Sequence, residues 1–189
     1  MNPIRSIKGT HDILPVDSHR WQTLESIVRK VCSRFGYNEI RTPVFEETRL
    51  FSRSVGEETD IVSKEMYSWE DKDGTSLTLR PELTASVVRS FIQHNLGRQA
   101  PLQRLYYMGP LFRRERPQNG RQRQFHQFGV EAFGSENPEQ DAEIIAIAWH
   151  ILDECGLRKE AILQLNSIGS PKCRLAYQDA LKNFIRPNL

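Results

Sequence analysis

Apolar residues fall on one helical stripe early in the chain. Trp21, Leu24, Ile27, Val28, Val31, Cys32 and Phe35 recur at 3.6-residue spacing and predict a helix from about Asp17 to Phe35, with Gly36 placed to end it. Cys32 lies in that stripe and reads as a packing residue, not a reactive thiol. A short strand is expected over Asn38–Arg41, ahead of Thr42-Pro43, where proline turns the preceding residue away from helix. Met66–Trp69 and Ser76–Leu79 read as two strands joined by the turn sequence Asp71-Lys72-Asp73-Gly74. Leu83 to about His94 follows as a helix. Leu102–Met108 is apolar and aromatic, as a buried strand would be, and Gly109-Pro110 is expected to interrupt it. Leu111–Glu115 and Gln124–Phe133 then flank the polar stretch Arg116–Arg123 as the arms of a long hairpin. A helix from Pro138 to Gly156 and a strand over Ala161–Leu165 come next. Ser170-Pro171 opens a last amphipathic helix through Leu175, Leu181, Phe184 and Ile185. Strands joined by hairpin turns predict an α+β fold with a largely antiparallel sheet flanked by helices.

Composition narrows the class. The 189-residue chain is 38% hydrophobic and 26% charged, near the globular average, which argues against disorder and against a membrane protein. The longest apolar helix, around Ile144 to Leu152, is too short to span a bilayer, and no apolar leader follows Met1. Cys32, Cys155 and Cys173 form no close pair, which rules out a CxxC site and a disulfide framework. A reducing compartment, the cytoplasm, is expected.

Charge changes the picture more than composition does. Arg98, Arg104, Arg113, Arg114, Arg116, Arg121 and Arg123 face a single acid, Glu115, between positions 98 and 124. That segment carries +6 in a chain whose total is +2, so the remainder carries −4. An arginine cluster on an otherwise acidic chain suits phosphate or nucleic acid, which guanidinium forks bind bidentately; a solvated basic face is the plain alternative.

Strand alternation places chemistry around that cluster. Arg113 and Glu115 would share one face of the outgoing arm. On the returning arm Gln127, Gly129 and Glu131 share a face, and His126, Phe128, Val130 and Ala132 the other. Gln127 and Glu131 would stand roughly 13 Å apart. Such a face is a poor core and a good floor for a polar ligand, and Gly129 would let something lie flat on it. His126, on the apolar side, reads as a structural histidine. In Thr78-Leu79-Arg80-Pro81-Glu82-Leu83-Thr84 a strand gives way to a helix; Glu82 and Thr84 could cap that helix or accept hydrogen bonds from an ammonium group. The sequence has no Gly-x-x-x-x-Gly-Lys-Ser/Thr loop and no Gly-x-Gly-x-x-Gly, so a nucleotide would have to sit on the sheet, held by arginines.

These residues carry a resemblance. Phe112-Arg113-Arg114-Glu115, a basic loop and an antiparallel strand resemble motif 2 of class II aminoacyl-tRNA synthetases. The longer run from Gln103-Arg104-Leu105-Tyr106-Tyr107 to Gln127-Phe128-Gly129-Val130-Glu131 resembles the histidyl-tRNA synthetases. So do Lys8-Gly9-Thr10-His11-Asp12-Ile13-Leu14-Pro15, Gly36-Tyr37-Asn38-Glu39-Ile40-Arg41-Thr42-Pro43 and Leu165-Asn166-Ser167-Ile168-Gly169-Ser170. The likeness implies that Pro43 belongs to motif 1 at a homodimer interface. It implies that Glu82, Leu83 and Thr84 form the edge that receives the histidine ammonium group, and that Gln127 and Glu131 line the amino-acid pocket. Arg113 would be the catalytic arginine on the α-phosphate and substrate carboxylate, Glu115 would orient adenine, and Arg121 would reach the distal phosphates. L-histidine, ATP accompanied by Mg2+, and tRNA(His) are the implied substrates, with no protein-bound metal and no membrane. Position 83 is Leu where many relatives carry Gly, so the pocket edge would be shaped differently.

Neither a glycine-rich motif 3, nor an Arg-Gly-Leu-Asp-Tyr segment, nor an anticodon-binding domain follows in the sequence. Residues 1–189 are therefore expected to be the N-terminal part of a class II catalytic domain, an incomplete one. Two other readings stand beside this one. The first is the synthetase-like regulatory subunit of ATP phosphoribosyltransferase, which shares the fold. The second is a stand-alone RNA-binding module resting on the basic hairpin.

Overall fold

The computed structural model describes residues 3–55, 65–166 and 169–186. Two compact units divide the chain, Met1–Arg158 and Lys159–Leu189. The first opens with helix α1, Pro15–Arg34, whose first turn holds Pro15 and Asp17. It stops where expected: Gly36 (φ +74°) donates to Ser33 O at 3.0 Å and Tyr37 to Cys32 O at 2.9 Å, a left-handed end that glycine adopts without strain. Strand β1 (Asn38–Glu39), β2 (Phe45–Glu47) and helix α2 (Thr48–Val55) follow. Next come β3 (Tyr67–Glu70), β4 (Ser76–Leu79) and helix α3 (Thr84–Gln93). Strands β5 (Gln103–Phe112) and β6 (Gln124–Phe133) form the long hairpin, and helix α4 (Pro138–Glu154) closes the unit.

Three of the four ladders are antiparallel. One sheet runs β1-β5-β6, with β1 parallel to β5 and β5 antiparallel to β6; the other runs β2-β4-β3, antiparallel throughout. The β5–β6 register sets Leu105 opposite Glu131, Tyr107 opposite Gly129 and Gly109 opposite Gln127. Alternation then sorts the side chains onto two faces. One face buries Tyr106 with Val28, Val31, Cys32 and Tyr37 of the α1 region and Ile147 and Ile151 of α4, with Met108 and Val130 packed alongside. The other buries Leu105, Tyr107 and Leu111 against Leu83, just before α3, and Val87 within it. Fully burying one such leucine contributes roughly 1.5–3 kcal/mol.

Some expectations need correcting. Gly109-Pro110 does not interrupt β5, which is continuous for ten residues. Pro110 O accepts from Arg80 Nε at 3.0 Å on the edge away from β6. The missing N–H therefore faces that edge too, and no ladder bond is lost. The outgoing strand ends at Phe112, not Glu115, so strand parity does not govern Arg113 and Glu115. Strand β2 and helix α2 were not expected from the pattern. In the second unit Ala161–Leu165 is irregular, without a described strand beside it to pair with. Helix α5, Pro171–Ile185, forms as expected, with Ser170 Oγ accepting from Cys173 N at 3.2 Å. Ser167 and Ile168 lie outside the described residues. No helix among the described residues is long and apolar enough to cross a membrane.

Candidate functional site

The start of α3 and the middle of the hairpin meet on one face of the sheet. Glu82 Oε1 accepts the Ala85 N–H at 2.8 Å, so this carboxylate caps α3 with one oxygen. Thr84 does not cap. Its Oγ1 donates instead to Glu131 Oε1, at 2.8 Å, across 47 positions of sequence. Tyr107 OH donates to the same oxygen at 3.1 Å and stands 3.4 Å from Thr84 Oγ1. Burial, more than any neighbouring charge, pushes the Tyr107 phenol up to about 12, so it stays a donor. Leu83, expected at the pocket edge, is 3% exposed and packs into the apolar cluster beneath; its side chain supports the face without lining it. Gln127 shares the Glu131 face by alternation and is exposed, and its side chain makes no hydrogen bond among the described residues.

Gly129 is occupied in a way the sequence did not suggest. A Cβ there would stand 2.3 Å from Tyr107 OH, so what lies flat on the glycine is the chain's own tyrosine.

The basic loop supplies the neighbouring charge. Arg113 Nε donates to Pro81 O at 3.0 Å, and its guanidinium carbon sits 5.1 Å from the centre of the Phe125 ring. Arg113 Nη1 is 3.9 Å from Glu115 Oε1 and Arg121 Nη1 is 3.5 Å from Glu115 Oε2. Glu115 is nearly enclosed, and its Oε2 is buried without a hydrogen-bond donor. Arg121 is mostly exposed. The base of the loop is tied to the N-terminal segment: Gly9 O accepts from Arg123 N at 2.7 Å and Gln124 N at 3.1 Å. Thus Glu82, Thr84 and Glu131 gather at one place, and Arg113, Glu115 and Arg121 at another, linked through the Pro81 carbonyl.

Pro43 is exposed, and its carbonyl accepts from Arg80 Nη1 at 3.2 Å. A cleft of about 410 Å³ lies across Trp21, Met108, Pro110 and His126. Its charged lining is already paired, Arg29 with Glu25 at 3.1 Å and Arg41 with Glu39 at 2.8 Å. His126 is exposed at the cleft, meets Trp21 edge-on with ring centres 4.8 Å apart, and has its pKa lowered by partial desolvation. Among the described residues no three His, Cys, Asp or Glu side chains cluster as metal ligands.

A family model described as histidyl-tRNA synthetase matches residues 9–169. The chain belongs to the histidyl-tRNA synthetase family. A histidine–tRNA ligase of Solibacter usitatus is 54% identical over 95% of this chain, and one of Geobacter metallireducens 52% identical over 98%. The chain spans 43% and 45% of those two relatives. Among solved structures, apo histidyl-tRNA synthetase of Staphylococcus aureus superposes with a TM-score of 0.68 at 44% identity, covering 82% of this chain and 41% of that one. A Bacillus halodurans protein described as an ATP phosphoribosyltransferase regulatory subunit/histidyl-tRNA synthetase gives 0.69 at 27% identity, covering 82% and 40%.

Within this synthetase-family fold, two residues escaped the sequence reading. Tyr107 looked like a core aromatic, and its hydroxyl became visible only with Gly129 set opposite it. Arg80 is 4% exposed and donates to Thr42 O at 2.9 Å, Pro43 O at 3.2 Å and Pro110 O at 3.0 Å, with no carboxylate hydrogen-bonded to it. Burial lowers its pKa, and Glu46 partly restores it. Its place in the Thr78–Thr84 run was the available signal.

Proposed function

We propose that the whole protein activates L-histidine with ATP, forming histidyl-adenylate and pyrophosphate, and transfers the histidyl group to tRNA(His). The observation that carries this is the meeting of the Glu82–Thr84–Glu131 set with the Arg113–Glu115–Arg121 set through Pro81. An ammonium group needs acceptors, and Glu82 and Thr84 supply a carboxylate and a hydroxyl. An imidazole N–H needs one more, which Glu131 offers, and Gln127 adds an exposed amide on the same face. Glu115 Oε2, buried and lacking a donor, suits the exocyclic amine of adenine.

When the histidine carboxylate attacks the α-phosphorus, negative charge grows on the phosphate oxygens. Arg113, already held by Pro81 O, is a fixed cation for that charge. A planar guanidinium can also hold carboxylate and phosphate in line. Arg121, mostly exposed and 3.5 Å from Glu115 at its nearer nitrogen, would reach the outer phosphates by swinging off that carboxylate. Mg2+ enters with ATP as part of the substrate. The protein works as a cytoplasmic homodimer, with Pro43 in its interface, and residues 1–189 form the motif 1 and motif 2 part of the catalytic domain.

The ligases at 52–54% identity favour this activity over the regulatory subunit, whose representative is 27% identical. The test is histidine-dependent ATP–pyrophosphate exchange by the whole protein with Arg113→Ala. Exchange should fall about 10²–10³-fold with the melting temperature nearly unchanged; undiminished exchange would remove Arg113 from the reaction.

A further inference from the structure

Two hydroxyls converge on a single oxygen of Glu131. Thr84 Oγ1 is 2.8 Å from Oε1 and Tyr107 OH 3.1 Å from it, and no donor among the described residues lies on Oε2. An ionised carboxylate accepts only, so both hydroxyls must give it their protons. That fixes the polarity of the triangle. Thr84 spends its hydrogen on Glu131 and keeps its lone pairs for a donor from outside. Tyr107 is 8% exposed, and only a residue without a side chain at position 129 leaves room for its ring.

We infer that Tyr107 is a positioning residue for amino-acid recognition: seated over Gly129, it holds Glu131 by one oxygen, leaving the other for the imidazole N–H and Thr84 as an acceptor for the ammonium group. This rests on the reading of Glu131 as the partner of the substrate ring. Tyr107 itself touches no reacting atom. Its hydroxyl selects one carboxylate rotamer, and the pocket is thereby set before the ligand arrives. The raised phenol pKa keeps the proton in place across the working range.

The test is Tyr107→Phe in the whole protein, which removes the hydroxyl and keeps the ring over Gly129. The histidine KM in ATP–pyrophosphate exchange should rise about tenfold, the loss of one hydrogen bond to a charged group. The ATP KM should stay within about twofold and the melting temperature should hold. The inhibition constant of histidinol, which keeps ring and ammonium but has no carboxylate, should rise in parallel with the histidine KM. A parallel rise in both substrate KM values with a lowered melting temperature would make Tyr107 merely structural and overturn the inference. Glu131→Ala separates the remaining outcomes. If it raises the histidine KM while Tyr107→Phe does not, the positioning role is wrong and the site reading stands. If Glu131→Ala leaves the histidine KM unchanged, the site reading falls and the inference with it.

Discussion

Two tyrosine–glutamate pairs sit on opposite faces of the β5–β6 hairpin, and they are built differently. On the α1/α4 face, Glu143 accepts from Tyr37 OH at 3.1 Å, Gln140 Nε2 at 2.6 Å, Arg104 Nε at 2.8 Å and Arg104 Nη2 at 3.1 Å. Both oxygens are used and a cation neutralises the charge. On the α3 face, Glu131 has two hydroxyl donors on one oxygen and no cation among its described partners. Both phenols are pushed up to about 12 by burial, so the tyrosines do not distinguish the pairs. What differs is how much of each carboxylate remains to be satisfied. A saturated carboxylate is mortar between α4 and β5. A half-satisfied, partly exposed one keeps acceptor capacity for water or an outside donor.

The contrast can be pressed hardest at position 129. Gly129→Ala puts a methyl 2.3 Å from Tyr107 OH and 2.4 Å from its Cζ, in a buried ring that cannot simply swing aside. Destabilisation of about 2–3 kcal/mol is expected in denaturant unfolding; a neutral result would mean the ring has another place to go. Next in size is the exchange of carboxylate for amide. Glu143→Gln should lose about 1–2 kcal/mol, since Arg104 and Glu143 are only partly solvated. Glu131→Gln should change stability by less than about 0.5 kcal/mol. Equal losses would erase the distinction between the two pairs.

Tyr37→Phe should follow at about 1 kcal/mol, the worth of one hydrogen bond, again by denaturant midpoint. The smallest effect is a pH dependence. Arg104 hydrogen bonding, above all, holds the Glu143 carboxyl below its ordinary value of 4.5. A group depressed in the folded state stabilises fully above its unfolded pKa and loses that contribution as pH falls through the folded one. The stability gap between wild type and Glu143→Gln should therefore be constant from pH 7 to about 5 and shrink below pH 4.5. A gap that widens on acidification would contradict the assigned sign.

Local signals carried much of this fold. Helices α1 and α4 announce themselves by apolar spacing, proline openings and glycine stops, and β6 by its position after a turn-rich loop. Strand β2 and helix α2 do not, because three residues and a two-turn helix are too short to show a period. Their order comes from pairing with β4 and from burying Phe51. Ala161–Leu165 has the composition of a strand without a described partner, and composition alone does not make one. At the site, parity placed Gln127, Gly129 and Glu131 together correctly. It could not bring Thr84 to Glu131, since that contact depends on how α3 docks on the sheet. Leu83 shows the same limit: a motif position fixes its neighbours in sequence, while packing decides which way the side chain turns.

Arg80 has a consequence for substitution. Its three carbonyl acceptors come from two chain segments, and they lie around a flat, forked ion, Nε serving Pro110 and Nη1 serving Thr42 and Pro43. Lysine would keep the charge but has one nitrogen, which cannot serve both ends of the fork. Leucine would fill the space and strand the carbonyls in the dark. The usual conservative swap and the usual hydrophobic swap are both closed, so this position tolerates little change.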